Sequence, residues 1–145
     1  GVNSRLDSIQ AAILDCKLPH LDSYIASRQR AAAFYDNAFA GNPHLLIPTR
    51  SADSTHVFHQ YTLRLIDVDR DALRNALAEK GIPAMVYYPI PLHMQKAYQD
   101  PRYQTGDFPV AEKLADCVLS LPMHTELDEE QLTYICNHVL AFVNQ

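Results

Sequence analysis

A proline-stiffened segment constrains this chain more than any other feature. Residues 81–98 read GIPAMVYYPIPLHMQKAY, in which Pro89 and Pro91 follow an apolar and aromatic run at 84–88. β-Branched and aromatic residues favour a half-buried strand, and a proline cannot donate a hydrogen bond to a neighbouring strand. The segment therefore predicts a strand over 84–88 and then a stiff loop that presents His93. A solvated histidine in a free loop is the alternative that the residues leave open.

Local patterns predict two more strands. Residues 57–66, VFHQYTLRLI, alternate between two faces, and residues 119–123 form a short apolar run that Pro122 ends. His56 and His59 are three residues apart, a spacing that can bind a metal on a helix. Because the two side chains would point to opposite faces of a strand, no metal site is predicted there.

The remaining patterns predict five helices. Asp7 and Asp128 each precede a glutamine by three residues, which is the pattern of a capping box. Pro19 predicts a kink between the first two helices, and Gly41 and Gly81 predict helix ends. The predicted ranges are 7–18, 19–40, 69–80, 108–118 and 128–143.

The second helix is predicted to have one apolar face and one polar face. The residues expected to face the core are Leu21, Ile25, Ala32, Tyr35 and Phe39. The residues expected to face water are Arg28, Gln29, Arg30 and Asp36. The following stretch, 42–55, contains two prolines and a polar cluster and is predicted to be a loop.

The order of these elements predicts an α+β fold. Three strands separated by helices predict a small three-stranded sheet, mixed or antiparallel, with helices packed mainly on one face. A length of 145 residues fits a single domain over 1–145. Within it, a long kinked helical arm, 1–41, precedes an α+β core, 56–145.

Composition narrows the classes of function. The net charge of −5 and the scattered Lys and Arg residues argue against nucleic acid or an anionic membrane as a partner. No signal peptide or membrane span is predicted, and a cytoplasmic chain is expected. Cys16, Cys117 and Cys136 fall in apolar helical patterns and are predicted to be reduced core thiols. A first residue Gly1 rather than methionine indicates a piece of a longer chain or a processed product.

Residue types alone do not identify an active site. The sequence has no glycine-rich phosphate loop and no G-x-S-x-G, H-E-x-x-H or C-x-x-C motif. The acid–base candidates are His59, His93 and His124, and none has a nucleophile beside it in the sequence. No catalytic residue and no metal ligand is therefore predicted within the chain.

Four motifs occur in an order that resembles a known family. They are GVNSRLDSIQAAIL at the start, HQYTLRL, GIPAMVYYPIPLHMQKAY and FPVAEKLADCVLSLP. Together they resemble the C-terminal part of the DegT/DnrJ/StrS family, which are pyridoxal-phosphate (PLP) dependent aminotransferases acting on nucleotide-linked keto-sugars. The resemblance covers nearly the whole chain. It implies the small C-terminal domain of a fold-type I PLP-dependent transferase.

The resemblance also implies site residues and partners. Asn3 and Arg5 would lie near the PLP phosphate of the neighbouring subunit in a homodimer, and His93 would lie by the mouth of the active site. The substrate-binding candidates are His93, Tyr88 and His59. The side-chain amide of an asparagine and the guanidinium of an arginine both donate hydrogen bonds that a phosphate can accept. The alternative is that Asn3 forms a turn and Arg5 a surface ion pair.

The large domain of that family is absent from this sequence. It carries the lysine that holds PLP and binds most of the cofactor, so the chain alone is expected to be inactive. The lysines present, none of which matches that motif, are Lys17, Lys80, Lys96 and Lys113.

Three functional hypotheses stay open at this point. The first is part of an aminotransferase that transfers an amino group from an amino acid to a nucleotide-linked keto-sugar, for cell-surface polysaccharide or antibiotic sugars. The second is a stand-alone binding or regulatory module of the same fold. The third is part of a PLP-dependent sugar dehydratase, because some relatives replace the lysine with histidine.

Overall fold

Two helices form the arm at the start of the chain. In the computed structural model, which describes residues 3–145, α1 spans Ser8–Lys17 and α2 spans Leu21–Phe39. A 3₁₀ turn, Leu18–His20, joins them and contains Pro19. The two predicted helices and the break between them are confirmed. The first two positions of the predicted arm lie outside the described residues.

A small antiparallel sheet follows the arm. Its strand order is β1-β2-β3, and both neighbouring pairs run antiparallel. The central strand pairs Leu63 with Leu119 of its neighbour. The predicted three-stranded sheet is confirmed, and its pairing is antiparallel throughout. The strands span Leu45–Leu46 (β1), Tyr61–Leu65 (β2) and Val118–Leu121 (β3).

One of the three predicted strands is wrong. Residues 84–88 contribute a single bridge, in which the backbones of Met85 and Ser120 exchange hydrogen bonds of 2.9 and 2.8 Å. Pro83 and Pro89 flank the segment and have no N–H to donate, so pairing cannot extend through either end. The third strand comes instead from Leu45–Leu46, inside the stretch that was predicted to be a loop.

The predicted strand 57–66 begins later than expected. Phe58 has a left-handed backbone φ of 50°, and its N–H donates to Nδ1 of His56 at 2.9 Å. Regular pairing starts only at Tyr61. Neither His56 nor His59 therefore lies in a strand. Among residues 3–145, no group of three or more His, Cys, Asp and Glu side chains could hold a metal ion.

Three more helices complete the fold. They span Arg70–Glu79 (α3), Pro109–Cys117 (α4) and Glu129–Val143 (α5). The helices α1, α3 and α5 begin at aspartate caps that accept a backbone hydrogen bond of 2.7 to 2.9 Å. At α5 the N–H of Asp128 also donates to the side-chain oxygen of Gln131, which completes the predicted capping box. At α1 the predicted box has only one of its two bonds, from the N–H of Gln10 to Asp7. No helix within residues 3–145 is long and apolar enough to cross a membrane.

The core lies between one face of the sheet and the helices α2, α3 and α5. Alternation along β2 places Tyr61, Leu63 and Leu65 on this face and Thr62 on the other. Beside Thr62 lie α4 and part of the segment 87–98, which contains Pro89 and Pro91 and is called the proline-rich loop below. The helices are thus packed mainly on one face, as predicted. The side chains with no exposed surface include Ala32, Tyr35, Tyr61, Leu63, Leu73, Leu119 and Val139.

The polar face predicted for α2 is wrong at three of its four residues. Nη1 of Arg28 donates to backbone carbonyls of two separate loops, and Gln29 donates to the carbonyl of His56 at 3.0 Å. Asp36 accepts from the Tyr61 hydroxyl at 2.9 Å and also pairs with Arg50. Burial, together with that hydrogen bond, raises the pKa of Tyr61. These contacts join the arm to the sheet. Of the four residues only Arg30 is exposed, as predicted.

The cysteines differ from one another in burial. Cys136 is buried, as predicted, and burial raises the pKa of its thiol to about 12. Cys117 is half-buried, and Cys16 is exposed on α1. The prediction of three core thiols is therefore wrong for Cys16, because α1 packs none of its residues into the core.

Gly81 ends α3 in a left-handed conformation, with φ of 72°. Its N–H donates to the Ala78 carbonyl and the N–H of Ile82 to the Leu77 carbonyl, both at 2.9 Å, which is the Schellman pattern. A Cβ at this position would meet no atom within 4 Å, so the cost of Gly81→Ala is the backbone conformation alone. We expect the variant to lose about 1–2 kcal/mol of unfolding free energy in urea titrations.

A matched control for this change is Glu79→Ala, which alters an exposed helical residue two positions earlier. Its unfolding midpoint should stay close to that of the unchanged chain. An equal loss of unfolding free energy in both variants would mean that the left-handed backbone conformation of Gly81 is not its cause.

Candidate functional site

Asn3 and Arg5 lie in a stretch without regular secondary structure immediately before α1. Both residues are exposed, and Asp7 caps the helix that follows them. An amide, a guanidinium and the free N–H groups of a helix start are the donors that a phosphate prefers. This donor set fits the phosphate end of PLP. The lysine and the ring-binding groups that such a cofactor also needs have no counterpart among these residues.

The helix α1 next to this stretch has an apolar surface that no other part of residues 3–145 covers. Ile9 is 76% exposed, and Leu6 and Ile13 on the same face are also more than half exposed. None of the ten residues of α1 is buried. An exposed apolar face of this kind is typical of a surface that packs against another domain or subunit.

His93 lies in a 3₁₀ turn, Leu92–Met94, directly after Pro91. Its side chain is only 9% exposed, and its Nε2 lies 3.0 Å from Oε1 of Glu112. Its ring also packs beside that of Phe108, with the ring centroids 4.8 Å apart. The stiff loop therefore holds the histidine in a defined place, and a carboxylate on α4 fixes it there.

Glu112 binds the loop that leads into α4 as well as His93. Its carboxylate accepts hydrogen bonds from the backbone N–H of Gly106 at 2.9 and 3.0 Å and from that of Phe108 at 3.3 Å. The Gly106 N–H, with the Phe108 N–H and the His93 ring, holds the pKa of Glu112 below its usual range. Gly106 has φ of 97°, a conformation that glycine adopts without strain.

Two open cavities flank the proline-rich loop. The histidine cavity, about 590 Å³, is lined by residues that include His93, Met94, Asp100 and Tyr103. The tyrosine cavity, about 620 Å³, is lined by residues that include Tyr87, Tyr88, Ile90, Tyr98 and Leu114. Its lining is mainly apolar. The candidates His93 and Tyr88 thus belong to two different cavities.

His59 and His124 are less closely tied to these cavities. His59 is exposed, is not among the residues lining either cavity, and accepts at its backbone carbonyl from Arg28. His124 lines a third cavity, about 360 Å³, and its Nδ1 accepts from the backbone N–H of Glu126 at 3.1 Å. The structure therefore brings His93 together with Glu112 but not with His59.

The family of the chain follows from comparison with known proteins. The family model described as "DegT/DnrJ/EryC1/StrS aminotransferase family" matches residues 1–140. The chain belongs to this family. The match confirms the resemblance that the four sequence motifs indicated.

Relatives within the DegT/DnrJ/EryC1/StrS family include a UDP-N-acetyl-3-dehydro-alpha-D-glucosamine 3-aminotransferase of Acidithiobacillus ferrooxidans. It is 48% identical over 135 residues, which are 93% of this chain and 35% of that protein. A "Pleiotropic regulatory protein" of Geobacillus stearothermophilus is 45% identical over 98% of this chain and 38% of its own length. The crystal structure of S. venezuelae DesV superposes with a TM-score of 0.92 at 37% identity, covering 100% of this chain and 38% of DesV.

The chain thus spans between 35% and 38% of the length of these members of the family. The part that it matches is their C-terminal part. The agreement with DesV over the whole chain confirms the predicted fold class.

The sequence alone did not identify Glu112 as a site residue. The motif FPVAE places a proline at the start of α4 and the glutamate in its first turn, which was readable as a helix start. The partner His93 lies 19 residues earlier, in another element. Only the folded structure brings the two side chains together.

Proposed function

We propose that this chain is the C-terminal part of a PLP-dependent enzyme that transfers an amino group to a nucleotide-linked keto-sugar. The observation that carries the proposal is the family match over residues 1–140. A relative 48% identical is named as a 3-aminotransferase of a UDP-linked 3-dehydro sugar. PLP, when bound by the complete protein, supplies an electron sink for the transfer of the amino group.

In this proposal Asn3 and Arg5 contribute to the cofactor site of a neighbouring subunit. Their donors suit a phosphate, and both side chains are exposed on this chain. The apolar face of α1 beside them supports a homodimer, because a twofold interface would bury Ile9 and Ile13.

On the substrate side, we propose that His93 and Tyr88 contact the nucleotide-linked sugar. His93 can accept a hydrogen bond at its Nδ1, and Tyr88 is 76% exposed beside an apolar cavity. Aromatic side chains with one polar end suit the apolar faces and hydroxyl groups of such a ligand. His59, which is exposed near β2, is the third proposed contact.

We also propose that the protein works in the cytoplasm without a nucleic acid or membrane partner. The exposed free thiol of Cys16 is compatible with a reducing compartment. The net charge of −5 does not favour binding to polyanions.

A regulatory or binding role is the second candidate. It is supported by the relative from Geobacillus stearothermophilus, which is named a "Pleiotropic regulatory protein" and is 45% identical. A PLP-dependent sugar dehydratase is the third, and the residue that would decide it, at the cofactor lysine, lies outside this chain.

The test is an isotope transfer with the complete protein, meaning this chain together with its large domain. We expect ¹⁵N from a labelled amino-acid donor to be transferred to a nucleotide-linked keto-sugar, and mass spectrometry of the sugar product measures the transfer. Loss of water from the sugar without nitrogen transfer would identify a dehydratase, and neither reaction would favour a regulatory role.

The isolated chain provides the matched control. With PLP and borohydride, we expect no stoichiometric reduction onto any of its four lysines, whereas the complete protein should be reduced at one lysine. Specific labelling of Lys17, Lys80, Lys96 or Lys113 in the isolated chain would contradict the assignment of the cofactor lysine to the large domain.

A further inference from the structure

Glu112 makes more contacts than the start of a helix requires. A single oxygen, Oε1, accepts from the Gly106 N–H at 2.9 Å and lies 3.0 Å from Nε2 of His93. Glu129 occupies the first turn of α5, just as Glu112 occupies that of α4. Within residues 3–145, Glu129 is exposed and forms no ion pair, so the helix dipole alone does not explain the contacts of Glu112.

The pairing determines which nitrogen of His93 carries a hydrogen. A carboxylate only accepts hydrogen bonds, so the contact with Glu112 assigns the hydrogen to Nε2. The N–H groups of Gly106 and Phe108 help to hold the pKa of Glu112 below its usual range, so its carboxylate stays ionised at neutral pH. Within residues 3–145 the ring forms its hydrogen bond at Nε2 alone, which leaves the other ring nitrogen, Nδ1, available to a bound molecule.

The surroundings also fix the orientation of the ring. Phe108 packs beside it at 4.8 Å between centroids, and the side chain is only 9% exposed. Pro91 limits the backbone freedom of the turn that carries it. What remains accessible of His93 lines the histidine cavity.

We propose that Glu112 is a positioning residue, which holds the His93 ring in one orientation and one tautomer for contact with the nucleotide-linked sugar. The inference rests on the proposed function, in which His93 contacts this substrate. Glu112 itself acts through the histidine. The carboxylate also fixes the loop at Gly106 and Phe108, so loop and histidine are held by one group.

The test measures the two half-reactions of the complete enzyme separately. Amino transfer proceeds first from the amino-acid donor and then to the keto-sugar, as in ping-pong kinetics. For Glu112→Ala we expect KM for the keto-sugar to rise about tenfold, with kcat and the donor half-reaction little changed. Glu112→Gln keeps an acceptor oxygen at the same reach and should stay within about threefold of the unchanged enzyme.

The matched control is Glu129→Ala, which removes an exposed carboxylate from the first turn of α5; within residues 3–145 this carboxylate has no histidine partner. It should leave both half-reactions unchanged. If Glu112→Ala slows both half-reactions equally and also lowers the melting temperature, the role of Glu112 is purely structural and the proposal is overturned. If Glu112→Ala does not fold, Glu112→Asp, which withdraws the carboxylate by one methylene, should show the same sugar-specific rise; an unchanged KM would overturn the proposal.

The variant His93→Ala separates this inference from the proposed function. If His93→Ala leaves the keto-sugar KM unchanged, the substrate role of His93 fails and the positioning role fails with it. If His93→Ala raises that KM but Glu112→Ala does not, only the positioning role is overturned. In the double variant, Glu112→Ala should add nothing to the effect of His93→Ala, because it acts through that residue.

A second readout does not depend on activity. In the cofactor-free protein, the His93 ring should react severalfold faster with diethyl pyrocarbonate in Glu112→Ala than in the unchanged protein, as followed by peptide mass spectrometry. The exposed His124 serves as the internal reference. Equal rates at His93 in the two proteins would show that Glu112 does not hold the ring and would overturn the proposal.

Discussion

When PLP is limiting, mixing two nearly inactive variants of the complete enzyme is expected to restore activity, up to about half of the normal value per heterodimer. One variant carries Asn3→Ala, and the other lacks the lysine that holds PLP. If Asn3 serves the cofactor site of its neighbour, the site with an intact lysine receives its asparagine from the lysine-deficient subunit. One of the two sites in each heterodimer is then complete.

The defect of the Asn3→Ala homodimer follows from a lost hydrogen bond. A bond to a charged phosphate contributes on the order of 1.5–3 kcal/mol, so the affinity for PLP should fall roughly tenfold to a hundredfold. Titration of the cofactor-free homodimer with PLP measures this loss directly. The exposed Asn75 on α3 provides the control, since Asn75→Ala should change neither affinity nor activity.

The mixing experiment also tests the opposite arrangement. If Asn3 contacts the cofactor of its own subunit, every site in the heterodimer carries one lesion and mixing restores nothing. A monomer that remains active and PLP-loaded in sedimentation would contradict the proposed homodimer as well.

The helices were predictable because their signals are local. The aspartate caps at Asp7, Asp69 and Asp128 and the glycine at Gly81 act within a few residues of the helix ends. The observed helices begin and end within about two residues of the predicted bounds, which is the ordinary spread between definitions of a helix end.

Strand pairing was harder to predict because it depends on distant partners. Residues 84–88 have the composition of a strand but contribute only the bridge at Met85. The two residues Leu45–Leu46 lie in a stretch with the composition of a loop and pair with β2. The composition of a segment indicates only a preference for extended backbone. Which segments pair as strands depends on which backbone N–H and C=O groups lie next to each other in the folded chain.

In the candidate site, too, local features were predictable from the sequence and contacts between distant residues were not. The sequence predicted a stiff loop that carries His93, and the structure places it in a turn after Pro91. It did not predict that Glu112 would pair with this histidine. The roles of Asn3 and Arg5 came from the family resemblance, and they stay predictions because they involve a second subunit.

Arg28 shows why residues near the core can look like surface residues in a sequence. It lies on the polar side of α2, but its Nη1 donates to the carbonyls of Phe58 at 3.0 Å and of His59 and Met123 at 3.2 Å. The first two carbonyls precede β2 and the third follows β3. Because Tyr61 pairs with Leu121, these carbonyls lie at the same end of the sheet, so one guanidinium joins the arm to two neighbouring strands there. The long apolar stem explains how a charged head reaches these groups.

We expect Arg28→Met to reduce the unfolding free energy by about 2–4 kcal/mol, because it leaves half-buried carbonyls without a donor. This is a large share of the roughly 5–15 kcal/mol that stabilises a typical domain. Arg28→Lys keeps the charge but has a shorter side chain. Its unfolding free energy should lie between those of the unchanged chain and Arg28→Met. The control is Arg30→Met, an exposed position on the same helix. Urea titrations that give equal midpoints for Arg28→Met and Arg30→Met would show that these carbonyls are satisfied by water, and that Arg28 does not help to hold the arm to the sheet.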